Sequence, residues 1–160
     1  MMRLPTLLRK FIRLEVMAAE LYRAHIAHVP ISLKPMMHHF AKVEEHHRDT
    51  FRKIYRDLVG HEAPRESHTK HLMRLVAWGL SLRGSHAILR FECMIEERAI
   101  ADYTQALTWI EQPEIRRAIH VILEDEKVHG PLIEAMKTFR HDEEEHIEKM
   151  KAAMERLEKM

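Results

Sequence analysis

The chain has 160 residues, enough for one domain with its own core, and its 26 basic and 25 acidic side chains leave a formal net charge of +1. The two signs are interspersed, which excludes the one-signed surface of a nucleic-acid binder, and neither a signal peptide nor an apolar run of about 18 residues is visible. A lone Cys93 cannot close an internal disulfide and fits a reducing, cytoplasmic setting.

With only 4 Gly and 6 Pro, and apolar residues recurring at helical spacing, the chain reads as all-α. A first helix is expected from about Leu4 to His28, with Leu4, Leu8, Phe11, Ile12, Ala18, Tyr22 and Ile26 on one stripe, Glu15 near its centre and Glu20 pointing away. Val29-Pro30-Ile31-Ser32 makes a short turn into a second helix, from about Leu33 to Leu58, which must therefore run antiparallel to the first. Its stripe of Met37, Phe40, Phe51, Tyr55 and Leu58 contains Glu44 and His47, while Glu45 and His46 face outward. The stretch from Val59 to Ser85 is a long crossover. Within it Leu72 to Leu82 is apolar over most of its circumference, carries Trp78 and is flanked by Lys70 and Arg83, so it either packs on its own bundle or lies on a membrane or an apolar partner.

A third bundle helix, ending near Ile110, arranges Leu89, Ala99, Ile100, Tyr103 and Leu107 around Glu96, with Glu92 one turn earlier on the same side. Gln112-Pro113 opens a fourth, where Ile115, Ile119, Ile122 and Ile133 bracket Glu126 and His129 before Pro131. Residues 141–160 form a charged C-terminal helix appended to a bundle domain spanning 1–140. Its thin seam of Ile147, Met150, Met154 and Leu157 suits docking on the bundle or on a second copy in a homo-oligomer.

The four-helix region repeats one constellation. Glu15 precedes Glu44-x-x-His47 by 29 residues and Glu96 precedes Glu126-x-x-His129 by 30; each lead glutamate has a tyrosine seven residues on, Tyr22 and Tyr103. Glu-x-x-His alone is weak, because 20 glutamates and 14 histidines in 160 residues make about two by chance, and a third copy at Glu143 sits in a solvated acidic run. Facial placement separates them. One Glu from each of two helices and a Glu-x-x-His from each of two others is the ligand plan of a dinuclear metal site in a bundle core. Buried carboxylates need compensating charge, and two divalent cations would balance four of them. Mixed carboxylate and imidazole donors favour two iron ions, or manganese, over structural zinc. The expected arrangement is two Glu-x-x-His half-sites sharing the two lead glutamates. Glu92 remains a rival to Glu96 or a supporting group, and Tyr22 and Tyr103 are either hydrogen-bond donors to the ligands or core residues.

The stretches from Glu15 to Tyr22, Glu44 to His47, Ile95 to Tyr103 and Asp125 to His129 resemble the ferritin-like diiron carboxylate superfamily, and within it most the demethoxyubiquinone hydroxylase family. The resemblance implies a ferritin-like antiparallel four-helix bundle with metal ligands at Glu15, Glu44, His47, Glu96, Glu126 and His129, favouring Glu96 over Glu92. It also implies activation of dioxygen or peroxide, a quinone-like substrate, and a membrane-peripheral role for Leu72 to Leu82. Phe11-Ile12-Arg13-Leu14 and Asp102 depart from the hydroxylase pattern. Ferritins, bacterioferritins and rubrerythrins share the ligand plan, although no Cys-x-x-Cys pairs exist for the rubredoxin-like iron site of a full rubrerythrin. Three readings follow: a quinone-type monooxygenase walled by Leu72 to Leu82; a ferroxidase or peroxidase with acidic entry at Glu92, Glu97 and Asp102; and a metal-free helical interaction module.

Overall fold

The computed structural model describes residues 3–28, 31 and 34–129. Four helices are α1 (Leu4–His25), α2 (Lys34–Val59), α3 (Ser67–Ser81) and α4 (Ser85–Leu107), and a fifth, α5, spans 113–129. The expected C-terminal helix, the third Glu-x-x-His and Pro131 lie outside the described residues.

Each helix end has a local cause. Proline in the first turn of α1 loses no helical hydrogen bond there. Gly60, at φ +82°, adopts the left-handed turn that closes α2, its N–H donating to the Arg56 carbonyl at 2.8 Å. α1 ends at His25, one turn short of the expected His28, and residues 26–28 form a turn. Between α4 and α5 the Arg116 guanidinium donates to the carbonyls of Leu107 and, at 2.9 Å, of Ile110, tying the connection to the start of α5.

The apolar interior falls into two clusters, and their order along each helix fixes the direction of the chain. One contains Leu8, Phe11 and Ile12 of α1, Phe51 and Tyr55 of α2, Tyr103 and Ala106 of α4, and Ile119 and Ile122 of α5. The other contains Leu21 and Tyr22 of α1, Met37 and Phe40 of α2, and Ile88 and Leu89 of α4. α1 therefore passes from the first cluster to the second, whereas α2 and α4 both pass from the second to the first. Two consecutive bundle helices that run the same way need a connection as long as the bundle. α3 is part of it.

This crossover helix packs on α1 and α4 through Met73 and Ala77 and leaves Leu72, Leu75, Trp78 and Leu82 exposed. It also accounts for the buried position of Glu20, expected to face away from the core. α3 covers that side of α1, and Arg74 donates to Glu20 at 3.0 Å, with Arg23 at 3.0 Å and Lys70 at 3.8 Å. A single-helix pattern cannot register cover supplied by a distant segment. No described helix is long and apolar enough to cross a membrane.

Candidate metal centre

Between the two apolar clusters lies a polar layer. Glu15 on α1, Glu44 and His47 on α2, Glu96 on α4 and Glu126 and His129 on α5 are all buried. Their positions follow from helical spacing: residues three or four apart share a face, so Glu44 and His47, and Glu126 and His129, enter the layer together. Two four-residue sets form, Glu15, Glu44, His47 and Glu126 in one and Glu44, Glu96, Glu126 and His129 in the other. Within each, one donor atom per residue lies within 4.8 Å of the others. All six expected residues are brought together, but the sharing is reversed. Glu44 and Glu126 belong to both sets, while the lead glutamates Glu15 and Glu96 each serve one. The Glu-x-x-His glutamates occupy the middle because α2 and α5 present them towards each other across the layer.

The pairing is crosswise throughout. His47 Nδ1 lies 3.3 Å from Glu126, closer than the 3.7 Å to Glu44 of its own helix; His129 Nδ1 lies 3.1 Å from Glu44 and 3.6 Å from Glu126. The Tyr103 hydroxyl donates to Glu15 and the Tyr22 hydroxyl to Glu96, so each tyrosine serves the lead glutamate of the other half. Each ring is also packed: Tyr103 meets Phe11 edge-on at 4.6 Å and Tyr22 lies 5.3 Å from Phe40. Both tyrosines thus combine the two roles left open by the sequence.

Burial and mutual repulsion govern the protonation of this layer. Desolvation, then the charges of Glu126 and Glu44, push Glu15 well above the usual carboxylate range; desolvation and a hydrogen bond with Glu126 do the same to Glu96. Burial also opposes ionisation of Glu126, but hydrogen bonds from Glu96, His129 and His47 outweigh it and hold that carboxyl well below its ordinary value. For the histidines burial favours the neutral ring, yet hydrogen bonds to Glu126 and Glu44 prevail and raise His47 to about 10 and His129 to about 9. Burial lifts both tyrosines further from ionisation.

The polar atoms facing the centre are nevertheless incompletely satisfied. Both carboxylate oxygens of Glu44 and of Glu126, and Nδ1 of His47 and of His129, are buried without a hydrogen bond of good geometry. Six such atoms in one layer would be costly without a further partner. Oxygen and imidazole donors converging at these separations fit two divalent cations such as iron or manganese.

Comparison with known proteins agrees. Residues 6–137 match the family model described as Rubrerythrin. The chain belongs to the rubrerythrin family. Its solved neighbours include a hypothetical protein from Pyrococcus furiosus, 20% identical, with a TM-score of 0.65 over 84% of this chain and 88% of that one, a likeness of fold. No curated protein matches the chain in sequence. The rubrerythrin match supports the superfamily expected from the ligand pattern, and nothing in these comparisons supports the demethoxyubiquinone hydroxylase family.

The remaining candidates are placed elsewhere. Glu92 stands outside both four-residue sets; its carboxylate meets Nδ1 of the fully buried His25 at 2.9 and 3.0 Å, a partner that sequence reasoning missed. Asp102 is buried between Lys10 at 2.6 Å and Arg98 at 3.1 Å, and Glu97 is exposed. Asp102 is thus held in ion pairs and Glu92 by its contact with His25, so neither carboxylate is free to form the expected acidic entry. Two hollows among the described residues reach the candidate ligands between α2 and α5. One of about 330 Å³ is bordered by His46, His47, Thr50, Arg117, Val121 and Asp125, and another of about 290 Å³ by His39, Phe40, Val43, Asp125, Val128 and His129. Asp125, also missed, accepts from His47 Nε2 at 3.2 Å. Its position directly before Glu126, one residue off the buried stripe, was the available signal.

Proposed function

We propose that this chain is a rubrerythrin-like diiron oxidoreductase of the peroxidase or ferroxidase type. The observation that carries the reading is the pair of four-residue sets joined through Glu44 and Glu126, whose oxygens have no other good partner. Glu15 and His47 would hold one iron and Glu96 and His129 the other, with Glu44 and Glu126 between them. A diiron pair supplies two-electron redox chemistry towards peroxide or dioxygen. The protein's own part is positional. The tyrosine hydroxyls hold Glu15 and Glu96 in place, the two apolar clusters exclude water above and below the layer, and the clefts between α2 and α5 admit a small oxidant.

Hydrogen peroxide added to anaerobically iron-loaded protein should convert the ferrous pair to the ferric state within one turnover, followed by absorption in the near ultraviolet. Loaded protein that stays ferrous with both peroxide and air would refute the redox role.

A quinone-type hydroxylase would need an apolar wall beside the ligands. Leu72 to Leu82 was the segment expected to supply it, yet α3 lies on α1 and α4, whereas the clefts at His47 and His129 open between α2 and α5. What favours that reading is the outward face of Leu72, Leu75, Trp78 and Leu82, which suits peripheral contact with a membrane or an apolar partner. A blue shift of the Trp78 fluorescence with liposomes or a short-chain quinone, lost in Trp78→Ala, would support it; an unchanged spectrum would count against it. A metal-free interaction module leaves the buried, unsatisfied carboxylates without a purpose.

A further inference from the structure

The two halves can be superposed by position, and the superposition shows where they differ. Glu15 on Glu96 carries Leu8 onto Leu89, Ala18 onto Ala99 and Tyr22 onto Tyr103. Glu44 on Glu126 carries His47 onto His129. In the same registers, Val43 falls on Asp125.

That last difference touches a candidate ligand. His47 Nε2 donates to the Asp125 carboxylate at 3.2 Å, which holds a proton on Nε2, so that Nδ1, facing Glu15, Glu44 and Glu126, is the nitrogen left to bind an ion once its own proton is lost. Val43, at the corresponding place before Glu44, has no atom able to do this for His129. It lines the hollow beside His129 with Met36, His39, Phe40, Asp125 and Val128, and the aromatic ring packed against that imidazole is Phe40, at 4.7 Å. Ring packing restrains His129 but selects no tautomer.

We propose that the two metal positions are unequal by construction, the Glu15/His47 position binding its ion more tightly than the Glu96/His129 position because Asp125 orients His47, whereas Val43 stands at the matching place for His129 and no described residue there supplies a carboxylate in the same way. Asp125 is a positioning residue in this scheme. The inference rests on the dinuclear reading above. Removing a carboxylate that orients a ligating histidine weakens metal affinity by about 10- to 100-fold in general, and this sets the size of the difference.

The two ions share Glu44 and Glu126, so binding the first alters the second even at equal sites. Variants with one position disabled separate the effects. In His129→Ala only the Glu15/His47 position remains complete, and in His47→Ala only the Glu96/His129 position. Cobalt(II) affinity, measured by chelator competition under anaerobic conditions, should be about 10- to 100-fold higher in His129→Ala than in His47→Ala. Adding Asp125→Ala should abolish that advantage in the His129→Ala background and cost far less in the His47→Ala protein, with Asp125→Asn retaining an intermediate affinity through its amide oxygen. Val43→Asp in the His47→Ala background should tighten binding. Equal affinities in the two single variants, or an equal loss on adding Asp125→Ala to both, would overturn the inference while leaving the dinuclear reading intact. Failure of the unaltered chain to bind a second ion would defeat the dinuclear reading itself.

Discussion

Loading the centre with metal should expel protons, and the layer sets a minimum number. Metal-free His47 and His129 hold their protons up to about 10 and about 9, so both imidazoles are charged at pH 7. Both must give up the Nδ1 proton to bind an ion. At least two protons therefore leave when two ions enter, and any held by Glu15 or Glu96 add to them. For two protons the product of the two association constants rises about 100-fold per pH unit between pH 6 and 8, equivalent to about 2.7 kcal/mol per unit. The same linkage acts on folding. Histidines with raised values stabilise the metal-free fold fully below their unfolded value of 6.5, and this is lost as pH rises through about 9 to 10. Glu15 and Glu96, also raised, make ionisation costly in the fold, so their part in metal-free stability declines as pH rises above 4.5. The gap in Tm between loaded and metal-free protein should accordingly widen with pH. Calorimetric titration with ferrous iron in buffers of different ionisation enthalpy counts the protons directly. Release of fewer than two per chain at pH 7 on binding two ions, or an affinity flat from pH 6 to 8, would refute this picture of the layer.

Glu96→Ala should lose metal, whereas Glu92→Ala should keep two ions per chain while destabilising the fold by about 1–3 kcal/mol, because the buried His25 Nδ1 is left without its hydrogen-bond partner; metal analysis and denaturant titration check the two halves. His129→Ala should remove one metal position, and His146→Ala, in the third Glu-x-x-His, should leave the stoichiometry untouched; equal losses would contradict the facial assignment of α5. Tyr103→Phe keeps the ring against Phe11 and deletes one hydrogen bond to Glu15, so about 1.5–3 kcal/mol of stability should go with no change in metal count, measured on metal-free and loaded protein.

The six residues of the buried polar layer were legible in the sequence because a metal centre in a helical bundle would impose long-range geometry through local spacing. Donors must fall on the buried stripe at every pass of the chain, and a 3.6-residue period reveals which member of Glu44-Glu45-His46-His47 does so. The doubled pattern of lead glutamate, tyrosine and Glu-x-x-His then identified the bundle and the need for a long crossover. What lay outside the reach of periodicity was every contact made between helices. Nothing local shows that Tyr22 serves Glu96 and Tyr103 serves Glu15, or that Glu44 and Glu126 are the residues common to both four-residue sets. Glu20 was placed outward by its own helix and is buried because α3 lies over it, its Arg74 standing 54 residues further along the chain. His25 carried no signal at all, since an imidazole at a helix end usually faces water, and only the fold sets it against Glu92.

The central claim is a dinuclear centre, and the most direct measurement is the number of iron ions retained per folded chain after anaerobic loading and removal of excess metal. The account predicts two, falling when Glu44 or Glu126 is replaced by Ala, since both positions draw on each of these residues. Retention of one ion or none by the folded, unaltered chain would contradict it.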